Sequence, residues 1–128
     1  HARCRSVLRN AATEWGDETI SPSALAAADL SLLTDPSELD LIKVMAAWPR
    51  MVENAAEAHE PHRIAYYLNE LATLFHALWN KGNDDARLRF IITGEPALTI
   101  ARLALVQGVA TVIVSGLQVI GVSPVEEL

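Results

Sequence analysis

The sequence contains little cysteine, few aromatic residues and more negative than positive charge. Cys4 is the one cysteine in 128 residues, so an internal disulfide and a structural metal site built on cysteines are both excluded. This usage fits a reducing compartment, and we expect a cytoplasmic protein. The formal net charge is −6 at pH 7, which argues against simple non-specific nucleic-acid binding, because a basic face supplies most of that affinity.

Common catalytic motifs are also missing. The chain contains no P-loop, no dinucleotide-binding glycine pattern, no nucleophile elbow and no HExxH zinc motif. His59 and His62 are close in sequence, but Pro61 lies between them and no third ligand is evident, so we expect surface residues and no metal site. The carboxylates of residues 29–60 fall on the polar side of an amphipathic helix, where solvation is the default. The residues themselves therefore do not indicate an enzyme site.

Length and composition favour one helical domain. The chain starts with His rather than Met and shows no signal-peptide pattern, so we expect a piece cut from a longer protein. A chain of 128 residues fits a single domain with one core. Leu and Ala dominate a composition that is 51% hydrophobic, and β-branched runs are few before residue 109, which predicts an all-α fold.

Residues 1–34 predict one helix followed by an irregular segment at the surface. Helical spacing of apolar residues predicts a first helix that reaches Trp15 and stops at Gly16. Residues 17–34 mix turn formers with an Ala/Leu stretch. We therefore expect an insertion that holds one short helix from about residue 23 to residue 30.

A capping box marks the start of the next helix. Asp35 occupies the cap position, Pro36 the first helical position, and Glu38 follows three residues after the cap. The apolar stripe then continues across Pro49, which predicts a single helix kinked near that proline.

A third helix is predicted after Pro61, because proline fits the first turn of a helix. Its apolar stripe ends near Trp79. Residues 80–94 contain glycines and no helical stripe, so they predict a loop with a short extended piece at residues 88–92.

The last predicted helix, from Pro96 to about Ile120, is the most apolar part of the chain. Residues 103–122 carry no formal charge, which is the length of a membrane span. Polar interruptions, two glycines and the lack of a Trp/Tyr belt favour a core helix surrounded by other helices instead. The two glycines are expected to let neighbouring helices approach closely, and no membrane partner is expected.

The end of the third helix holds the best candidate site. Phe75 follows the apolar stripe, so core packing alone would explain it. Trp79 lies one position off that stripe and adjoins His76 and Asn80. A stacking platform for a base fits such a position, because every base has a π-face, although geometry alone favours partial core burial. The segment that follows carries three basic residues, namely Lys81, Arg87 and Arg89.

Three stretches of the chain carry a family resemblance. It opens with His-Ala-Arg at residues 1–3, contains Phe-His-x-x-Trp-Asn at residues 75–80 and closes with ARLALVQGVATVIVSGLQVIGVSPVEEL at residues 101–128. Together they resemble the C-terminal DALR-type anticodon-binding domain of arginyl-tRNA synthetases. The resemblance covers nearly the whole chain and is most specific in the tail. It implies a bundle of α-helices, with residues 1–128 as a single domain and the long apolar C-terminal helix in its core.

The resemblance also implies a function. A domain of this type grasps the anticodon stem and loop of arginine tRNA, with the middle base flipped into a pocket formed partly by the helix that carries Trp79. The competing prediction is a helical protein-interaction or regulatory domain that binds no RNA. The base-contacting group implied by the resemblance is Trp79, Asn80, Phe75 and His76. The implied contacts to the RNA backbone are Arg3, Lys81, Arg87 and Arg89.

The resemblance places catalysis elsewhere in the parent protein. The HIGH-like and KMSKS-like signatures of a class I synthetase do not occur in this chain. Aminoacylation, with its ATP and magnesium, is therefore expected of a catalytic domain outside these residues. The implied partners are arginine tRNA and the rest of the synthetase chain, without DNA.

Overall fold

The computed structural model describes residues 1–127, which form α-helices joined by short 3₁₀ turns, with no strand in that range. This confirms the predicted all-α class. The helices are α1 (Ala2–Trp15), α2 (Pro22–Ala26), α3 (Pro36–Ala46), α4 (Trp48–Glu57), α5 (His62–Asp84) and α6 (Pro96–Val119). The 3₁₀ turns lie at Asp17–Ile20, Leu30–Leu32 and Ala86–Leu88.

Helix α6 is the centre of the bundle, as its composition predicts. It contacts α1, α2, α3 and α5, and its buried residues form a broad face, while Thr111 and Gln118 are exposed on the other side. Gly116 allows α5 to approach, because a Cβ at this position would lie 2.6 Å from the Leu68 Cδ2 atom. By length and composition alone α6 also qualifies as a membrane span, and half of its most apolar window is buried inside the domain.

The predicted capping box at the start of α3 is confirmed. Asp35 Oδ2 accepts a hydrogen bond from the Ser37 N–H at 2.9 Å, and Glu38 Oε1 accepts one from the Asp35 N–H at 3.3 Å. These two contacts satisfy amides that have no partner within the helix.

The predicted single helix kinked at Pro49 is wrong, because the chain forms two helices, α3 and α4. The break lies at Ala47, which caps the end of α3 and the start of α4. Pro49 has no N–H to continue the α3 hydrogen-bond ladder, whereas it fits the first turn of a new helix. Trp48 then packs on Tyr67 of α5, with ring centroids 5.1 Å apart.

Helix α5 runs to Asp84, beyond the predicted end near Trp79. Gly82 lies inside α5 and does not end it. Its missing side chain allows close packing instead. A Cβ on Gly82 would lie 3.2 Å from the Leu88 carbonyl oxygen and 3.3 Å from the Arg89 Cα. The missing side chain therefore lets the following segment lie directly on α5.

Two further boundaries differ from prediction. The extended piece predicted at residues 88–92 forms no strand in the described part of the chain, although Arg89 itself has extended dihedral angles. The short helix predicted at residues 23–30 is α2, which begins earlier because the Ser21 hydroxyl caps it by accepting from the Ala24 N–H at 3.3 Å. The interpretation of residues 17–34 as an insertion stays a prediction.

Candidate nucleic-acid interface

Three aromatic rings cluster where the end of α5 meets the segment after it. Phe75 stacks on Phe90 with centroids 5.6 Å apart and planes within 6° of parallel. Trp79 lies tilted against both rings, at 6.4 Å from Phe75 and 6.1 Å from Phe90. Phe75 and Phe90 are only 3% and 8% exposed, whereas Trp79 is half-buried. Phe75 is thus a core residue that supports Trp79, and Trp79 is the ring that reaches the surface.

An open cleft of about 200 Å³ lies beside Trp79. This volume is smaller than the roughly 300 to 1,000 Å³ of typical ligand pockets, so the cleft suits one flat ring system rather than a large ligand. Its walls combine aromatic rings, two amide side chains that donate and accept hydrogen bonds, and one guanidinium. Stacking surfaces and amides are the groups that recognise an unpaired base. The residues that supply them are Trp79, Phe90, Asn10, Asn83 and Arg89.

The sequence did not indicate the two amides of this cleft, Asn10 and Asn83, as site residues. Asn83 follows Trp79 by four residues, so both side chains lie on one face of α5. Asn10 follows Arg3 by seven residues on α1 and faces the same cleft. The helical spacing from Trp79 was the signal for Asn83, but it was hidden by the prediction that α5 ends at Trp79. No signal local to α1 indicated Asn10.

Arg3 contacts both the indole and His76. The Arg3 Cζ atom lies 5.5 Å from the centroid of the Trp79 ring, a cation–π contact. Arg3 Nη1 also donates to His76 Nδ1 at 3.2 Å. Because a guanidinium only donates, Nδ1 must accept, which puts the proton of the neutral imidazole on Nε2. Burial, then the Arg3 charge, lowers the pKa of His76. His76 is therefore a neutral hydrogen-bond donor at pH 7.

Of the three basic residues after Trp79, Arg89 is the one that lines the cleft. Its Nε donates to the Gly82 carbonyl at 3.2 Å. Asn80, an exposed residue of α5, does not line the cleft. Lys81 is also outside it, with Nζ at 3.6 Å from Asp35 Oδ2.

Arg87 is held at the surface by its neighbour Asp85. Arg87 Nη2 donates to Asp85 Oδ2 at 2.9 Å, and Arg87 Nε donates to Asp85 Oδ1 at 3.1 Å. These hydrogen bonds raise the pKa of Arg87 and lower the pKa of Asp85. Arg87 is thus a paired surface cation that does not reach into the cleft.

A buried ion pair behind the cleft was also missed. Arg102 Nε donates to Glu38 Oε2 at 3.0 Å, and the two residues are only 5% and 1% exposed. The interpretation of the carboxylates at residues 29–60 as solvated is therefore wrong for Glu38. The signal was Arg102 itself, because a lone arginine at the edge of a long uncharged helix must find a buried partner.

The described residues 1–127 contain no group of three or more His, Cys, Asp or Glu that could hold a metal ion. His59 and His62 are both exposed, and His59 adopts a φ of 54° after the end of α4. Cys4 is buried, and that burial raises the pKa of its thiol to about 11. It is therefore an unreactive core residue at neutral pH.

Comparison with known proteins gives the family. A family model described as the DALR anticodon binding domain matches residues 1–128. The chain belongs to this family. The predicted resemblance is confirmed, and anticodon binding is the general role of DALR domains.

The similar curated proteins are arginine–tRNA ligases. The DALR domain is 55% identical over 129 residues to the ligase of Rhodospirillum rubrum and 56% identical over 128 residues to that of Parvibaculum lavamentivorans. It is 53% identical over 128 residues to the ligase of Xanthobacter autotrophicus. Each match covers 100% of this chain and 22% of the relative, so the DALR domain spans about a fifth of the length of these relatives.

Proposed function

We propose that this DALR domain binds the anticodon arm of arginine tRNA and receives the middle anticodon base in the cleft beside Trp79. The observation that carries the proposal is the half-buried indole beside two amides and a guanidinium, in a cleft the size of one ring system. The choice of arginine tRNA is supported by the relatives, which are named arginine–tRNA ligases.

In this proposal Trp79 stacks on the flipped base. The stacked pair of Phe75 and Phe90 lies against the indole and holds it in place before RNA arrives, which lowers the entropy lost on binding. Asn10 and Asn83 supply hydrogen bonds to the base edge. A wrong base leaves an amide or its own polar groups unpaired, and this penalty produces the discrimination.

Contacts to phosphates orient the RNA around this cleft but do not read its sequence. Arg89 lies in the cleft wall, and Arg3 lies over the indole. Lys81 and Arg87 are exposed and can exchange their carboxylate partners for phosphates, because surface ion pairs are weak. Asn80 and His76 flank the site as further donors to RNA.

The rest of the reaction belongs to the parent ligase in this proposal. Because the domain spans 22% of its relatives, we assign aminoacylation, with its ATP and magnesium, to the part of a cytoplasmic arginine–tRNA ligase outside these residues. Binding of the anticodon arm orients the acceptor end in that distant active site, while the described residues contribute no catalytic group.

A calorimetric titration with an arginine tRNA anticodon stem-loop at low salt tests the proposal. Trp79→Ala should weaken binding by about 1 to 3 kcal/mol, the value of one base stacked on an aromatic ring. A stem-loop with its middle base changed should bind wild type more weakly, and this discrimination should shrink in Trp79→Ala.

Trp48→Ala is the matched control, because Trp48 is another half-buried tryptophan that packs at a tilt on an aromatic ring, and it lies on α4. It should bind RNA as wild type does once its folding is verified by circular dichroism. Equal binding of both RNAs by wild type and Trp79→Ala would contradict the proposal and leave the protein-interaction alternative.

A further inference from the structure

The buried pair of Arg102 and Glu38 reaches the segment that forms one wall of the cleft. Besides its bond to Glu38, Arg102 donates from Nη1 to the carbonyl of Arg87 at 2.7 Å and to the carbonyl of Arg89 at 2.9 Å. One guanidinium therefore links α3, α6 and the backbone on both sides of Leu88.

This link restricts a segment that has little regular structure of its own. The segment forms one 3₁₀ turn and then continues without regular structure. In the turn, the Leu88 N–H donates to the Asp85 carbonyl at 3.0 Å and the Arg89 N–H donates to the Ala86 carbonyl at 3.4 Å. Two fixed carbonyls, two residues apart, set the orientation of the peptide groups between them and thus the direction in which the Arg89 side chain leaves the backbone.

Glu38 in turn orients Arg102. Its Oε2 accepts from Arg102 Nε, while its Oε1 accepts from the Asp35 N–H at the start of α3. Both carboxylate oxygens are used, so the carboxylate has one orientation, and no buried side-chain N or O atom in residues 1–127 lacks a hydrogen-bond partner. The start of α3 is thereby coupled to the cleft wall.

We propose that Arg102, oriented by Glu38, is a positioning residue for RNA binding: it holds the 87–89 backbone so that the Arg89 side chain lies in the cleft wall beside Trp79. The part of this inference that concerns RNA rests on the proposed function, whereas the part that concerns the segment does not. A purely stabilising ion pair would contribute to folding without acting through Arg89.

Arg102→Lys is the variant of choice, because it keeps a buried positive charge for Glu38 and so avoids an unpaired carboxylate. An ammonium lacks the planar fork that serves Glu38 and two carbonyls at once. Tyr67→Phe is the control, since it removes another buried hydrogen bond, from the Tyr67 hydroxyl to the Val44 carbonyl at 2.6 Å, away from the segment.

The first measurement is hydrogen exchange of this 128-residue chain without RNA. Compared with wild type, exchange at the Leu88 and Arg89 amides should be faster in Arg102→Lys and unchanged in Tyr67→Phe. The proteins are compared under conditions that give each of them the same free energy of global unfolding. Unchanged exchange in Arg102→Lys would overturn the inference irrespective of any RNA result.

The second measurement is a double-mutant cycle of stem-loop binding with Arg89→Ala. Each single variant should weaken binding about tenfold, the loss that one charge-assisted hydrogen bond supports. The double variant should bind no more weakly than Arg89→Ala alone, because Arg102 acts through Arg89. Thermal unfolding should show the destabilisation by Arg102→Lys in both backgrounds.

Multiplied losses in the double variant would overturn the positioning role, as would wild-type affinity of Arg102→Lys. If wild type binds the stem-loop with the changed middle base as tightly as the original stem-loop, the proposed function is contradicted instead. In that case the exchange measurement still tests the link from Arg102 to the segment.

Discussion

Two arginine–carboxylate pairs, Arg102 with Glu38 and Arg87 with Asp85, have the same chemistry and nearly the same length. The shortest N–O distances are 3.0 Å and 2.9 Å. The first pair has side chains only 6% and 1% exposed, whereas the second has 88% and 35%. Solvent exposure therefore separates a fixed structural link from a surface cation whose partner can be exchanged.

The largest effect is expected from breaking the buried pair. Arg102→Ala should lower the free energy of unfolding by about 3 to 5 kcal/mol, because it leaves the Glu38 carboxylate buried without its partner. Urea denaturation followed by circular dichroism measures this loss. Glu38→Gln combined with Arg102→Met should recover part of the lost stability, since no charge is then buried. A loss below about 1 kcal/mol in Arg102→Ala would contradict the prediction, because it would show that the buried pair stabilises the fold no more than an exposed pair does.

A smaller effect, of opposite sign, is expected from the exposed pair. Asp85→Asn keeps the side-chain oxygen that accepts from the Arg87 N–H but removes the charge that competes with phosphate. Its affinity for the anticodon stem-loop should rise about two- to fivefold, the range that an exposed ion pair supports. The gain should disappear at 1 M salt, where surface charges are screened. Equal affinities of Asp85→Asn and wild type at low salt would show that Arg87 makes no contact with RNA.

The smallest effect concerns Arg3, a third arginine, whose partner is a neutral imidazole. NMR titration should give a pKa of His76 below the usual value, and Arg3→Gln should raise this pKa because it removes a neighbouring cation. Since the folded-state pKa is lowered, the unfolded chain binds the proton first, so stability should fall as pH drops through the unfolded value near 6.5. That decrease should be weaker in Arg3→Gln. An unchanged pKa in the variant would show that the Arg3 charge does not contribute to the shift.

Features that depend on neighbours along the chain were predictable. The capping box of Asp35 and Glu38 and the start of α6 at Pro96 follow from local hydrogen bonding and backbone sterics. The family resemblance likewise depends on stretches of consecutive residues. These signals predicted the fold class and directed attention to Trp79.

Features that depend on contacts between distant segments were not predictable in the same way. Gly82 resembles a helix stop until the 86–89 segment is seen to lie on it. Phe90 stacks on Phe75 across 15 positions of the chain, and Arg102 meets Glu38 across 64. Periodicity contains no information on such pairs, so the contact of Phe75 with Phe90 and the polar walls of the cleft required the structure.

The half-buried indole gives this domain a built-in optical reporter. The chain has three tryptophans, of which Trp15 and Trp48 lie on α1 and α4, outside the cleft. Replacing these two with phenylalanine leaves the emission of Trp79 alone. A nucleobase stacked on an indole quenches its fluorescence, so occupancy of the cleft becomes visible in real time without any attached dye.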